Sequence, residues 1–199
     1  MEYQVNIREM QKADVPQASE TVGEAFATTP GTLAIYNGNS TVALRFQNLI
    51  KGGFKSPTGR CFVAELDDRI VGGMRIAKSP DCYTFSLQLI PAALSAARGL
   101  GPLMRLMKML DAFRKHDPKQ PHWHLTFLGV APDFQGKGIG SKMMVFYCDI
   151  VDRDRMEAYH ETGPDNVHFY ERFGFKVVGE ETVNGAKHCY MLRSAKSDK

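Results

Sequence analysis

Residues 128–141 decide the fold, and they read Leu128-Gly129-Val130-Ala131-Pro132-Asp133-Phe134-Gln135-Gly136-Lys137-Gly138-Ile139-Gly140-Ser141. An apolar strand predicted over 122–130 ends here, a proline turn follows, and a glycine-rich loop leads into a helix predicted over 138–152. Glycines let the backbone approach a ligand closely, and the free N–H groups of a first helical turn favour an anion. Lys137 adds a positive charge, so the stretch predicts a phosphate-binding loop.

Outward from this loop, apolar residues alternate as in strands or recur at helical spacing. Strands are predicted at 3–8, 60–66, 70–76, 122–130, 156–161, 175–181 and 187–193. Helices are predicted over 14–26, 40–50, 138–152 and 164–172, with two more in succession within 91–114. Residues 28–39 and 52–59 are predicted as loops, 79–89 has no assignment, and Asn184-Gly185 predicts a hairpin turn. The pattern indicates one domain over 1–199 in the α/β (α+β) class, a mixed sheet with helices on both faces.

Composition and charge exclude several classes of protein. The 199 residues are 43% hydrophobic and 24% charged, as in an ordinary globular protein. The chain has 25 Lys and Arg residues and 22 Asp and Glu residues, which gives a net charge of +3. This small charge argues against nucleic acid as the main partner. The sequence starts without a signal-peptide pattern, and no apolar run reaches the roughly 18 residues that a membrane helix needs. We therefore expect a cytoplasmic protein without a membrane partner.

The four cysteines, Cys61, Cys82, Cys148 and Cys189, form no Cys-x-x-Cys pair. Their spacing argues against a disulfide framework and against a zinc site, and it favours a reducing compartment. We therefore expect no metal. Cys148 falls in the predicted helix after the loop, where a small core residue is the expected role.

Three nucleotide-binding patterns compete for the glycine-rich loop. A P-loop needs Lys directly followed by Ser or Thr, but Lys137 lies between the glycines and Ser141 is not adjacent to it. The dinucleotide fingerprint GxGxxG needs another glycine spacing and a second βαβ half after it. The pattern Gln/Arg-x-x-Gly-x-Gly/Ala is matched by Gln135, Gly138 and Gly140. This third pattern is typical of the pyrophosphate loop of acyl-CoA-dependent N-acetyltransferases.

A second motif follows the next strand and reads Asn166-Val167-His168-Phe169-Tyr170-Glu171-Arg172-Phe173-Gly174-Phe175. Together the two motifs resemble the signatures of the GNAT superfamily of N-acetyltransferases, and the resemblance covers most of the chain. The run His122-Trp123-His124-Leu125, with Glu161-Thr162 after it, is similar to the puromycin N-acetyltransferase-like members. The resemblance implies a mostly antiparallel sheet of about six to seven strands. It also implies acetyl-CoA as co-substrate, and acetyl transfer to a primary amine of a small molecule by direct attack in a ternary complex.

The resemblance also assigns roles to residues. It places the acetyl-CoA-binding core at about 122–182, where strand 122–130 splays from strand 156–161 around the pantetheine arm. The backbone of Leu128, Gly129 and Val130 would bind that arm, and Asn166 would bind it or cap the short helix. Tyr170 would be the general acid, because a phenol is protonated at neutral pH and can protonate a departing thiolate. The pyrophosphate would be held by Gln135, Gly136, Lys137, Gly138, Ile139, Gly140 and Ser141.

The sequence leaves three candidates for the group that accepts the proton of the incoming ammonium. Alternation places His122, His124, Thr126, Leu128 and Val130 on one strand face, so either histidine is a candidate base. Arylalkylamine N-acetyltransferases carry a histidine pair on this strand, but one of those positions is threonine here. Glu161, which resembles a glutamate of the puromycin-type pattern, is the second route. Water in the cleft is the third.

The acceptor side is expected at about 26–58 and 83–115, because loops and helices outside the core usually set specificity. Aromatic residues there or on the sheet are candidates for an apolar amine pocket, namely Phe26, Tyr36, Phe46, Tyr83, Phe85 and Trp123. Met104, Met107 and Met109 are interpreted as packing residues. Two alternative functions stay open, a peptide or protein N-acetyltransferase and a catalytically silent acyl-CoA-binding regulator. Nothing decides between a monomer and a homodimer.

Overall fold

The computed structural model describes residues 4–83 and 89–195. Its strands are β1 (Asn6–Glu9), β2 (Arg60–Leu66), β3 (Arg69–Lys78), β4 (His122–Val130), β5 (Glu157–Thr162), β6 (Lys176–Val183) and β7 (Ala186–Arg193). Its α-helices are α1 (Val15–Ala27), α2 (Pro30–Ile35), α3 (Ser40–Ala43), α4 (Gln47–Phe54), α5 (Leu89–Ala97), α6 (Leu100–His116), α7 (Ile139–Asp154) and α8 (Val167–Glu171). Turns of 3₁₀ helix lie at Lys12–Asp14, Leu44–Phe46, Asp81–Tyr83, Pro132–Phe134 and Pro164–Asn166. Within these two described ranges, no helix is long and apolar enough to cross a membrane.

The seven strands of the described ranges form one sheet in the order β1-β2-β3-β4-β5-β7-β6. β4 and β5 pair in parallel, and every other neighbouring pair is antiparallel. A parallel pair needs a crossover connection, which α7 provides between β4 and β5. The predicted mixed, mostly antiparallel sheet is confirmed.

Two tight turns close the hairpins β2–β3 and β6–β7. Asp67 and Asp68 have φ values of 49° and 58°, and Asn184 and Gly185 have 53° and 85°. Positive φ at both central residues is the requirement of a type I′ turn, whose twist matches that of the flanking strands. The predicted hairpin at Asn184-Gly185 is therefore confirmed.

Helices cover both faces of the sheet, as predicted. Neighbouring glycines of β3 mark the two faces: a Cβ on Gly73 would lie 2.8 Å from Val22 Cγ2 in α1, whereas one on Gly72 would lie 3.1 Å from Met143 Sδ in α7. The core on the α1 side also takes in α4, α5 and α6. The core on the other side is built around α7. The absence of side chains at both glycines lets α1 and α7 pack directly onto β3.

A β-bulge interrupts β4 in its middle. Ile76 of β3 pairs with Leu125, but the preceding Arg75 pairs with Phe127, so Thr126 is an extra residue in the ladder. One extra residue bends a strand and reverses the face to which the following side chains point.

This bulge corrects the predicted common face of β4. Trp123, before the bulge, packs in the core on the α7 side, and Leu128 and Val130, after it, pack in that same core. His122 and His124 alternate with Trp123 and face the α1 side. The prediction that the two histidines share a face with Leu128 and Val130 is therefore wrong.

Two predicted loops are partly helical. Residues 28–39 contain α2, because Thr29 caps it by accepting a hydrogen bond from the Thr32 N–H and Pro30 starts its first turn. α4 continues through Gly52 to Phe54, and only the residues after it form the loop. Burial of Ile50 and Phe54 in the core on the α1 side outweighs the low helix propensity of the glycines.

The predicted pair of helices within 91–114 is confirmed as α5 and α6. Met109 is buried as expected, but Met104 and Met107 are 63% and 43% exposed, so their interpretation as packing residues is wrong. Of the unassigned stretch 79–89, Asp81–Tyr83 forms a 3₁₀ turn, and 84–88 lie outside the described residues.

Candidate active site

A cavity lies where β4 and β5 separate. The parallel pairing of the two strands runs only from His122–Glu157 to His124–Tyr159, although β4 continues to Val130 and β5 to Thr162. The cavity at this gap has a volume of about 250 Å³. The separation leaves the inner backbone edges of both strands beside the cavity, as the resemblance implies.

The α1 side of the cavity is mostly apolar. It is lined by Phe26 of α1, Phe46 of the 3₁₀ turn before α4, and Met109, Leu110 and Phe113 of α6. The rings of Phe26 and Phe46 stack with centroids 6.0 Å apart. A ligand in this part of the cavity therefore meets mostly aromatic and hydrocarbon surface, with Thr29, Thr32 and Arg114 as nearby polar side chains.

A buried acid–imidazole pair, His124 and Glu161, borders the cavity on this same side. His124 Nε2 lies 2.9 Å from Glu161 Oε2, and the side chains are only 1% and 7% exposed. Burial opposes the charged imidazole, but the Glu161 carboxylate and the Cys82 sulfur outweigh it and raise the pKa of His124 to about 9. At neutral pH the pair is an imidazolium that donates to a carboxylate.

Two aromatic side chains, His160 and Tyr170, border the cavity from the α7 side. Their ring centroids are 3.8 Å apart. Burial, together with the charge of His124, lowers the pKa of His160 to about 3, and burial raises the pKa of Tyr170 well above its ordinary value. At neutral pH this side of the gap presents a neutral imidazole beside a protonated phenol.

Arg75 of β3 lines the cavity and was missed by the sequence analysis. Its side chain is buried and donates to Gly53 O at 3.1 Å, Thr58 O at 2.9 Å and Thr126 Oγ1 at 2.9 Å. The last bond fixes the bulge residue of β4, and the first two fix the end of α4 and the loop after it. A charged residue within an apolar strand was the available signal.

The glycine-rich loop fits the pyrophosphate of acetyl-CoA. Gly136 and Gly138 have φ values of 71° and 82°, and a Cβ on either would meet nothing within 4 Å. Glycine takes such φ values without strain, and the space in front of the loop is open. The first N–H groups of α7, a helix of 16 residues, have no partners within the helix. Ile139 contributes only its backbone, because its side chain is in the core.

Two polar side chains of the loop have separate positions. Gln135 Nε2 donates to Val130 O at 3.0 Å, which closes the loop onto the end of β4. Lys137 is exposed and lies over the ring of Phe134, with Nζ 4.9 Å from the ring centroid. Lys137 is therefore on the exposed side of the loop, whereas Gln135 holds the loop against the end of β4.

The cavity brings together five of the sequence-predicted residues, His124, Glu161, Tyr170, Asn166 and Leu128. Asn166 starts the helical turn of α8 without a capping bond from its side chain, so that side chain is available to the cavity.

Three other predicted residues of β4 lie outside the lining, and one of them, Val130, packs its side chain in the core on the α7 side. His122 is fully buried behind the cavity wall, and its Nε2 is 3.1 Å from Asp117 Oδ1 and 3.6 Å from Cys82 Sγ. The face of Gly129 abuts α1, where a Cβ would lie 3.0 Å from Val22 Cγ1, so this residue can offer only backbone.

The predicted aromatic pocket is present in part. Phe26 and Phe46 line the cavity, but Tyr36 donates to Ala96 O and Trp123 packs on the α7 side, so neither of these two does. Phe85 and the side chain of Tyr83 lie outside the described residues. The lining also includes Cys82, His160 and His188, which the sequence analysis did not single out.

Comparisons with known proteins agree with this fold. The acetyltransferase (GNAT) family matches residues 35–175, more than half of the chain. A structure of histone acetyltransferase HPA2 and related acetyltransferase from Corynebacterium glutamicum is 18% identical, with a TM-score of 0.70 and 98% of each chain covered. Arylalkylamine N-acetyltransferase 2 from Aedes aegypti is 14% identical, with a TM-score of 0.64, 97% of this chain and 100% of the other covered. Ribosomal-protein-S18-alanine N-acetyltransferase from Escherichia coli is 12% identical, with a TM-score of 0.59, 98% of this chain and 97% of the other covered.

At these low sequence identities, the solved structures show only that the fold is shared. The assignment to a family rests on the match to the family model. The chain therefore belongs to the acetyltransferase (GNAT) family and is an acyltransferase.

Proposed function

We propose that the protein transfers the acetyl group of acetyl-CoA to a primary amine of a small molecule, by direct attack in a ternary complex. The observation that carries this proposal is the size and lining of the cavity. About 250 Å³ lies just below the roughly 300–1,000 Å³ of most small-ligand sites, and the wall opposite the sheet is mostly aromatic and aliphatic, with Thr29, Thr32 and Arg114 as polar members. Such a cavity suits a compact amine with an apolar body. The silent-regulator alternative is disfavoured by the acid–imidazole pair and the phenol on its two sides.

When bound, acetyl-CoA supplies the acetyl group as an activated thioester. In our proposal the loop residues Gly136 and Gly138, the first turn of α7 and Lys137 hold the pyrophosphate. The backbone of Leu128 and Val130, on the unpaired edge of β4, and the Asn166 side chain hold the pantetheine arm. Residues 122–182 would thus bind the co-substrate, while 26–58 and 83–115 would bind the amine.

Glu161 is the proposed first acceptor of the ammonium proton. An alkylamine with a pKa near that of lysine, about 10, arrives protonated and must lose a proton before it attacks. His124 has its pKa raised to about 9 and already carries a proton at neutral pH, so the carboxylate of the pair is the group able to accept one. His124 then acts as a positioning residue, because its bond to Oε2 fixes the carboxylate.

Tyr170 is the proposed general acid. Its phenol stays protonated at neutral pH because burial raises its pKa, and it lines the cavity from the α7 side. Its hydroxyl would donate a proton to the departing sulfur. The amine proton therefore leaves on one face of the sheet gap, and the sulfur receives its proton on the other.

The test of the function is release of free thiol from acetyl-CoA across a panel of amines. The panel holds arylalkylamines, polyamines, free amino acids, short peptides, and aminonucleosides such as puromycin, the last because of the puromycin-type pattern around His122 and Glu161. Turnover with a compact amine supports the proposal. Turnover restricted to peptides would overturn the small-molecule assignment, and acetyl-CoA binding without turnover on any amine would favour the silent regulator.

The test of the acid is Tyr170→Phe. We expect turnover with the best amine to fall about 10²- to 10⁴-fold, the usual contribution of a general acid, with acetyl-CoA affinity retained. Tyr190→Phe is the matched control, since burial also raises the pKa of Tyr190 but its hydroxyl contacts Glu181 outside the cavity lining. Equal turnover in both variants would remove Tyr170 from the acid role.

We also propose a cytoplasmic location, because Cys61, Cys82, Cys148 and Cys189, all among the described residues, form no disulfide, which suits a reducing compartment.

A further inference from the structure

Four metal-ligating side chains cluster at the end of the cavity, and the acetyl-transfer proposal uses only one of them. Ligand atoms of Cys82, Asp117 and His124 all lie within 4.8 Å of one another. His122 Nε2 adds a fourth donor, 3.6 Å from Cys82 Sγ and 3.1 Å from Asp117 Oδ1. Cys82 and the two histidines are buried, and Asp117 is partly exposed.

The two closest separations match the edges of a tetrahedral zinc site. Zn–S of about 2.3 Å, Zn–N of about 2.05 Å and Zn–O of about 2.0 Å give tetrahedron edges of about 3.6 Å for S to N and about 3.3 Å for N to O. The distances of 3.6 Å from Cys82 to His122 and 3.1 Å from His122 to Asp117 lie close to these values. The ligand atoms of Cys82, Asp117 and His124 lie within 4.8 Å of one another, so an ion would have to draw the remaining donors closer together.

The far nitrogens of both histidines are already held by outer partners. His122 Nδ1 lies 2.8 Å from Gln120 O and donates to it, so Nε2 is the nitrogen that faces the cluster. His124 Nε2 lies 2.9 Å from Glu161 Oε2. Zinc-ligating histidines almost always show this arrangement, in which a backbone carbonyl or a carboxylate fixes the ring through the nitrogen opposite the metal.

We propose that Cys82, Asp117, His122 and His124 bind one Zn²⁺ ion. A thiolate, a carboxylate and two imidazoles form a donor set that is typical of zinc, and its two negative charges balance the charge of the ion. Each imidazole would give up the proton of its cluster-facing nitrogen when the ion binds. Cys82 and His124 line the cavity, which provides an entry path for the ion. Glu161 stays outside the ligand set as the outer partner of His124.

The sequence analysis expected no zinc site, because the cysteines form no Cys-x-x-Cys pair. The ligands come instead from three places: the turn Asp81–Tyr83, the residue after α6, and the start of β4. Sequence spacing of cysteines carries no information on such an assembly.

The test is a metal titration of the chelator-stripped protein without acetyl-CoA or amine, so its outcome does not depend on the proposed acetyl transfer. Zn²⁺ is added in competition with a chromophoric chelator, and we expect one equivalent to bind. Co²⁺ is the spectroscopic probe, and we expect tetrahedral visible absorption with a thiolate-to-cobalt charge-transfer band. Failure to bind one equivalent of either ion would overturn the proposal.

Variants identify the ligands. We expect Cys82→Ser to abolish the charge-transfer band and to lower Zn²⁺ affinity by more than the roughly 10- to 100-fold that loss of an outer partner causes. Asp117→Asn should lower affinity but keep the band. Cys148→Ser is the control, because Cys148 packs in the core on the α7 side, and it should change neither measurement. A band that survives Cys82→Ser or disappears in Cys148→Ser contradicts the assignment, and circular dichroism checks that each variant is folded.

Discussion

Substitution of Gly138 by alanine should have two separate effects, one on the stability of the protein and one on its affinity for acetyl-CoA. Gly138 immediately precedes α7 at φ 82°, and a Cβ there would meet nothing within 4 Å. The cost to stability is therefore conformational and not steric, about 1–2 kcal/mol for an L-residue in the left-handed region. In a protein of this size, that cost lowers Tm by about 2–8 °C.

The effect on acetyl-CoA affinity is expected to be larger and separate. If the loop relaxes to relieve the strain, one N–H bond to the pyrophosphate is lost, and hydrogen bonds to charged groups contribute about 1.5–3 kcal/mol. If the loop does not relax, the methyl group occupies the space in front of it. Either way we expect affinity to fall about 10- to 150-fold, measured by calorimetric titration with acetyl-CoA.

Gly185→Ala is the matched control for this experiment. Gly185 has φ 85°, a Cβ there would also meet nothing within 4 Å, and it lies in the β6–β7 turn. We expect the same loss in Tm and no change in acetyl-CoA affinity. Equal affinities in the two variants would show that the glycine-rich loop is not the pyrophosphate site. A normal Tm for Gly138→Ala would refute the left-handed backbone on which the reasoning rests.

Three further predictions concern stability. Asp152→Ala leaves Arg193, 8% exposed and held by two bonds of 2.7 and 2.9 Å, without its carboxylate, so urea unfolding should show a loss of about 3–5 kcal/mol. Gly23→Ala drives a methyl group into Gln47 Cβ, and this overpacking of about 1–3 kcal/mol should outweigh the roughly 1 kcal/mol gain in helix propensity, lowering Tm. Hydrogen bonds from the Arg8 guanidinium lower the pKa of Asp14 in the folded protein. The contribution of Asp14 to stability is therefore present above about pH 4, near the pKa of an unfolded aspartate, and is lost as the pH falls further. In Asp14→Asn, the urea midpoint should change less with pH over this acidic range.

The elements that local chemistry controls could be predicted from the sequence. Asn184-Gly185 takes two positive φ values that these residues tolerate better than others do, and the glycine-rich loop marks where β4 gives way to α7. α2 was missed because its start depends on one threonine cap and one proline within a stretch that otherwise has the composition of a loop.

The β4 bulge could not be predicted, because it belongs to a pair of strands. Its position depends on the register of β3, where Arg75 faces Phe127 and its guanidinium binds Thr126. A prediction from the sequence of β4 alone depends on strict alternation of side chains, which places His124 and Leu128 on the same face. One extra residue in the ladder reverses that conclusion.

The bulge also bears on the two proposed proton transfers, which run in opposite directions at one gap. Before the bulge, His124 faces the α1 side and meets Glu161 there; after it, Leu128 faces the α7 side and borders the region of Tyr170. β5 also presents one side chain to each side of the gap, because the neighbouring residues Glu161 and His160 point to opposite faces of the strand. A ligand that crosses the gap therefore meets a carboxylate on one side and a phenol on the other. The strands bring these groups together without placing them in contact, and this separation lets each keep the protonation state that its proposed role requires.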